Sequence, residues 1–295
     1  MSSWEEIANE VAPANTRRGL ATGVHRGTAK REYSGGTLLM PPEEPRPIVP
    51  PSCAPDAPLD LALQGAVRHD DTGSFYRIVR LAAEFDAVFE NLTAHLGDAL
   101  DYVSRKTKAP CSPRDLLFTD IETTGLSSST PLFLIGTLRQ RSGGAQVELF
   151  LARGFEEERA ALAAFHEIAE GKTLVTFNGE RFDWPYIEGR SLRCGVEIAR
   201  PRAHFDLLPH ARRKWRSMVP NCRLQTLEYF LCHRKREGDI PSSQIPAQYL
   251  KFAERYAASG RGAHLLAPIV HHNIWDVLTM ADLLRRFDPS QPFLI

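Results

Sequence analysis

The sequence has no net charge, no closely spaced cysteines, no long apolar run and no internal repeat, and each absence removes a class of explanation. Its 36 basic and 36 acidic residues cancel, so bulk charge recommends neither a nucleic-acid nor an acidic partner, and only the placement of charge is informative. Five widely spaced cysteines, Cys53, Cys111, Cys194, Cys222 and Cys232, exclude a zinc knuckle or a CxxC redox motif and suit a reducing compartment. No stretch approaches the roughly 18 apolar residues of a membrane helix, and the start MSSWEEIANEVAPANTRRG lacks a basic run followed by an apolar core. The expectation is a soluble, cytoplasmic protein with no membrane partner.

What is present is 295 residues, 43% of them hydrophobic, enough for one large domain or two modest ones. Residues 1–60 read as a basic, proline-rich tail or linker, because the density of proline between Pro41 and Pro58 removes backbone donors and favours extended conformations. Residues 61–112 read as a lead-in, with a strand in GSFYRIVRLAAEF and one amphipathic helix from Phe85 to Arg105 carrying Val88, Phe89, Leu92, Leu96 and Leu100 on its apolar face. A domain boundary is expected near Pro113. From there to residue 295, LLFTDIETTGL, PLFLIGTLRQ and QVELFLA read as three neighbouring antiparallel strands, the last two joined by a turn at SGG. A helix (EEERAALAAFHEIAE), a buried strand (TLVTF) and a helix with Pro185 in its first turn follow. The fold class is α/β: a ribonuclease H-like mixed sheet, three antiparallel strands followed by parallel ones, flanked by helices.

Three clusters carry chemistry. In a strand, residues two apart share a face, so Asp120 and Glu122 of FTDIETTG project together while Ile121 points into the core. Two such acids repel, and a hard divalent ion with oxygen ligands, Mg²⁺ or Mn²⁺, offsets them most simply; alone, the pair could also sit solvated at a strand end. In TLVTFNGERFDWPYI, Asp183 lies near the C-terminal end of a strand, where α/β sites collect, although an acid before a proline-started helix is also an ordinary N-cap. Phe182 and Trp184 beside it could pack on a base or in the core. In HHNIWDVLTMADLLRRF, His272 and Asp276 are four apart and share a helix face, which puts His271 on another side.

Taken together, FTDIETTGL, PLFLIG, LVTFNGERFDWPYI, HFDLLPHARRKW, CRLQTLEYFL, DIPSSQIP and HHNIWDV occur in order over about 180 residues. The set resembles the DEDD exonucleases, and within them the YprB-like, ribonuclease H-like family. The second cluster is also similar to the matching motif of family B DNA polymerase proofreading domains. The resemblance implies that Asp120, Glu122, Asp183 and Asp276 ligate two Mg²⁺ or Mn²⁺ ions and that His272 is a general base, a neutral imidazole taking the proton of the attacking water. A histidine five positions before the last acid, as in the DEDDh pattern, would select His271; the HNxxD pattern and the helix geometry select His272.

Asp206 reads as a helix N-cap rather than a ligand, and Asn178 as a turn residue or a ligand-orienting amide. Between Leu192 and Arg236 stand eleven basic residues against three acids, a local excess suited to phosphates, with Trp215, Tyr229 and Phe230 among them as stacking or core residues. The functional expectation is a 3′ to 5′ exonuclease acting on DNA or RNA, at a single-stranded 3′ end, and releasing nucleoside 5′-monophosphates. A structure-specific endonuclease on the same fold and a non-catalytic nucleic-acid-binding module are the competing readings.

Overall fold

The computed structural model describes residues 38–287. Most of the tail read over 1–60, and the last eight residues of the chain, lie outside them. The strands are β1 (Arg46–Ile48), β2 (Gly65–Asp70), β3 (Gly73–Leu81), β4 (Leu116–Thr123), β5 (Leu132–Arg141), β6 (Gly144–Leu151), β7 (Thr173–Thr176), β8 (Ala203–Asp206) and β9 (Arg234–Arg236). The helices are α1 (Leu59–Leu63), α2 (Leu92–Leu96), α3 (Ala99–Thr107), α4 (Glu158–Ala169), α5 (Asp183–Cys194), α6 (Leu207–Trp215), α7 (Leu224–Cys232), α8 (Ile245–Ser259) and α9 (Ala263–Arg285). None of the described helices is long and apolar enough to cross a membrane.

Seven strands form one sheet in the order β2-β3-β6-β5-β4-β7-β8, antiparallel from β2 to β4 and parallel from β4 to β8. The three antiparallel strands and the parallel ones after them are those expected from the sequence. The sheet also extends to strands before Pro113: β3 pairs with β6, so the expected boundary separates no two bodies. Tyr76 and Ile78 of β3 are buried in the same core as Leu116 and Phe118, while Phe75 is buried on the opposite face of the sheet.

Two further expectations change. The segment 85–105 is not one helix. Asn91 caps α2 by accepting from the backbone of Thr93 and Ala94, and Gly97, at φ 50°, ends it before α3 begins. Val88, assigned to the apolar face, is exposed, whereas Phe89, Leu92 and Leu96 are buried. The proline-rich stretch, over its described part, is docked rather than free. β1 pairs in parallel with β9, Ile48 is buried, and Leu39 N–H donates to the Met218 carbonyl at 2.9 Å. A proline is tolerated there because an edge strand leaves one row of backbone donors unused.

The sheet separates two cores. Leu116 and Phe118 of β4 face the larger one, built around α9 and the stacked pair Phe133 and Tyr249, while Leu117 and Ile121 face the smaller one under α4 and α5. Alternation therefore turns Asp120 and Glu122 toward α9. The C-terminal ends of the parallel strands β4, β7 and β8 lie together, so whatever follows β7 and β8 meets these two acids.

Candidate active site

Asp120 is opposite Gly136 of β5 in the antiparallel register. Through that gap Asn273 of α9, fully buried, donates from Nδ2 to Asp120 Oδ2 at 2.8 Å. A Cβ at position 136 would lie 1.7 Å from Asn273 Oδ1, so the glycine of PLFLIG is there for space. Glu122, two residues on, is buried, and the register shifts immediately after it.

Asp183 opens α5, in its first turn and buried. The turn before it is held by Asp206. Its carboxylate accepts from Asn178 N–H (2.7 Å), Glu180 N–H (3.3 Å) and, as the N-cap of α6, Leu208 N–H (2.9 Å). Asn178 takes a left-handed φ of 73°, which fits its turn reading. Phe182 and Trp184 pack on the smaller core.

Asp276 and His272 share one face of α9, with His272 Nε2 3.4 Å from Asp276 Oδ2. The other imidazole nitrogen, Nδ1, is 2.8 Å from Asp239 Oδ2. Arg236 reaches the same point, 2.6 Å from Asp276 Oδ1, 2.7 Å from Glu228 Oε2 and 3.5 Å from Asp239 Oδ2. His271 is elsewhere: its Nε2 accepts from Trp275 Nε1 at 3.1 Å, and burial pushes its pKa down to about 4. It lines a separate cavity with Arg46, Ile48 and Phe85.

The electrostatics follow from this crowding. Burial, then the charges of Asp276, Asp183 and Glu122, hold Asp120 well above the usual carboxylate range, against the opposing pull of Arg236. Burial with Asp276 and Asp183 pushes Glu122 up to about 8, although His272 and Asn273 oppose it. Asp183 is pushed up to about 7 by burial and by Asp206 and Asp276, against backbone hydrogen bonds. Burial works against the charge on His272, yet Asp276, the Asp239 hydrogen bond and Glu122 raise it to about 9. Asp239 stays below its ordinary value because His272 and Arg236 outweigh its burial. Asp239 and Asp276 therefore face the two ring nitrogens of His272 and favour its protonated form.

The structure thus brings Asp120, Glu122, Asp183, His272 and Asp276 together, and leaves His271 outside. It adds Gly136, Glu228, Arg236, Asp239 and Asn273. The segments PLFLIG, CRLQTLEYFL, DIPSSQIP and HHNIWDV that hold all of these but Arg236 stand out in the sequence, but nothing local reveals that they converge. Of the eleven cations between Leu192 and Arg236, Arg234 and Arg236 are buried in ion pairs and unavailable to phosphates. Trp215 and Phe230 are buried as well, so neither offers a stacking face.

The family model of the RNase H superfamily matches residues 117–287, more than half of the chain. The chain belongs to the RNase H superfamily. Its mixed sheet, antiparallel strands followed by parallel ones, agrees with that membership. It is also 32% identical over 173 residues to "Uncharacterized protein YprB" of Bacillus subtilis (strain 168), a match covering 57% of this chain and 41% of that protein. The chain therefore spans less than half the length of this curated relative. Among solved structures it is similar to the family B DNA polymerase of the archaeon Pyrobaculum calidifontis, at 18% identity and a TM-score of 0.38, over 60% of this chain and 28% of that one.

Proposed function

We propose that this RNase H superfamily chain is a metal-dependent 3′ to 5′ exonuclease in which Asp120, Glu122, Asp183 and Asp276 hold two divalent cations, Mg²⁺ or Mn²⁺. The observation that carries the reading is unbalanced charge. Asp120, Glu122 and Asp183 are recessed around one point, each raised by burial and by the other acids. Such a set ionises fully only beside a cation, and an all-oxygen donor set suits a hard one. Asn273 Oδ1, a further oxygen at this point, is buried without a hydrogen-bond partner.

Among the described residues no three His, Cys, Asp or Glu side chains form a finished metal cage. Arg236 pairs with Asp276, and the Asn273 amide donates to Asp120. When bound, the cations would supply Lewis acidity to the attacking water and to the leaving 3′ oxygen.

The chain's own residues do the rest. Asp239 and Asp276 grip the two nitrogens of His272 and fix the ring plane. With cations bound, Asp276 and Glu122 would be neutralised, and His272, oriented by Asp239, would be the group placed to accept the proton of the attacking water. The recession of the acids favours a single-stranded terminus over an internal bond, since a strand end reaches a recess that a stiff duplex does not. Release of nucleoside 5′-monophosphates from an oligonucleotide, followed by chromatography with Mg²⁺, with Mn²⁺ and with EDTA, tests the assignment. Monophosphates that appear only with a metal support it, and oligonucleotide products alone indicate an endonuclease.

A further inference from the structure

The two ends of the parallel strands differ in charge. All four acids gather at the C-terminal ends. The opposite ends collect cations: Arg114 stands just before β4, Lys172 just before β7, and Arg200 and Arg202 just before β8. Because these strands are parallel and in register, the four residues share one end of the sheet. Two helix ends join them. α3 packs against β8, and α6 follows β8 directly. Tyr102 of α3 meets His210 of α6 at 2.9 Å. Arg105 and Arg213 both act on Tyr102, while Lys106 and Arg213 act on His210, so the last turns of the two helices present their cations side by side.

Arg105, Lys106, Arg114, Arg200, Arg212 and Arg216 are all exposed and, among the described residues, in no ion pair. The nearby acids are engaged: Asp115 pairs with Arg202 at 3.3 Å, and Glu170 accepts from the Arg200 backbone. Cations in a last helical turn also complement the helix dipole. That accounts for Arg105, Lys106 and Arg212, but not for Arg114 or Arg200, which precede strands. Exposed cations therefore gather at the end of the parallel strands opposite the acids.

We infer that this basic end of the sheet is a docking surface for the phosphate backbone of nucleic acid, holding the part of the substrate that lies beyond the acid cluster. The inference rests on the nuclease reading above and adds where the substrate is gripped. The four acids repel phosphates and Arg236 is committed to Glu228 and Asp276, so the site itself offers little grip. Leu116 and Asp120 are four residues apart along β4, about 13 Å at 3.3 Å per residue, so a substrate must extend well past the acid cluster to reach the basic end.

The test is fluorescence anisotropy of a 5′-labelled 20-nucleotide single strand, titrated with the full chain in EDTA from 50 to 200 mM salt. Two charge reversals are compared with wild type: Arg105→Glu/Lys106→Glu/Arg212→Glu on the helix ends, and Arg114→Glu/Arg200→Glu in the loops. A third, Arg68→Glu/Arg141→Glu/Lys251→Glu, reverses three exposed cations outside the basic end. Thermal melts confirm that each variant is folded. The expected result is at least a tenfold loss of affinity at 50 mM salt for the first two sets. The log–log salt slope of the triple helix-end variant should fall by about 2, at roughly 0.7 per lost phosphate contact. Unchanged affinity, or an equal loss in the Arg68/Arg141/Lys251 control, overturns the inference. Because EDTA removes cleavage from the measurement, a chain that binds as described but never hydrolyses would refute the exonuclease reading and leave the docking surface standing.

Discussion

Gly136→Ala isolates the packing that sets up the acid cluster. Gly136 has no left-handed φ, so backbone propensity alone predicts that alanine in this strand stabilises by about 0.5–1 kcal/mol. The space predicts the opposite. An alanine Cβ would fall 1.7 Å from Asn273 Oδ1 and 2.8 Å from its Cγ, and Asn273 is fully buried on α9 with nowhere to retreat. Displacing it breaks the 2.8 Å hydrogen bond to Asp120. Leaving a buried hydrogen-bond partner unsatisfied costs about 1–3 kcal/mol, and overpacking a core adds about 1–3 kcal/mol. The sum is a loss of roughly 2–6 kcal/mol, read as a fall in the urea unfolding midpoint. In an Asn273→Ala background the clash is gone, so Gly136→Ala should then be neutral or mildly stabilising, with a coupling of several kcal/mol between the two sites. If Gly136→Ala is tolerated in the wild type, or if the two changes simply add, the account of this contact is wrong.

Other expectations follow from the same geometry. Arg236→Met leaves Glu228 and Asp276 without their shared cation and should destabilise by about 3–5 kcal/mol in denaturant titrations, the usual cost of breaking a buried pair on one side. His272→Ala should reduce single-turnover cleavage about 10²-fold to 10⁴-fold, whereas His271→Ala, whose ring bonds Trp275 outside the cluster, should leave that rate within severalfold of wild type. His166 is held neutral because its Nδ1 accepts from Ala199 N–H and its Nε2 donates to Ser191 Oγ, and burial pushes its pKa down to about 4. The folded state therefore binds this proton more weakly than the unfolded chain, so the contribution is intact above about pH 6.5 and is lost as pH falls toward 4. Unfolding midpoints measured across that window should drop more in wild type than in His166→Gln.

Much of the sheet is legible in the sequence because its signals are local. LLFTDIET reads as a strand from its apolar run, SGG marks the turn between β5 and β6, and Pro185 marks the first turn of α5. The lead-in was harder to read. Residues 85–105 keep a helical apolar spacing across Gly97, and only the left-handed turn there, with Asn91 capping α2, divides it. Nothing in GSFYRIVRL says that it pairs with β6, a partner about seventy residues away. At the site, Asp120, Glu122, Asp183 and Asp276 stand out as acids in short motifs. Arg236 does not, because its partners Glu228, Asp239 and Asp276 come from three segments. In sequence it is one cation in a basic run, and its role is set by tertiary burial alone. Likewise, the i, i+4 spacing reveals Asp276 beside His272 but gives no hint of Asp239 on the other nitrogen.

The central claim is that the four acids hold cations and hydrolyse nucleic acid from its 3′ end. The most direct test is digestion of 5′-labelled linear and internally labelled circular single strands, as DNA and as RNA, by wild type and by Asp120→Asn, with Mg²⁺, with Mn²⁺ and with EDTA. The account predicts a ladder shortening from the 3′ end with wild type and metal only, and intact circles throughout. Cleavage of circles, or a ladder that persists with Asp120→Asn or in EDTA, would contradict it.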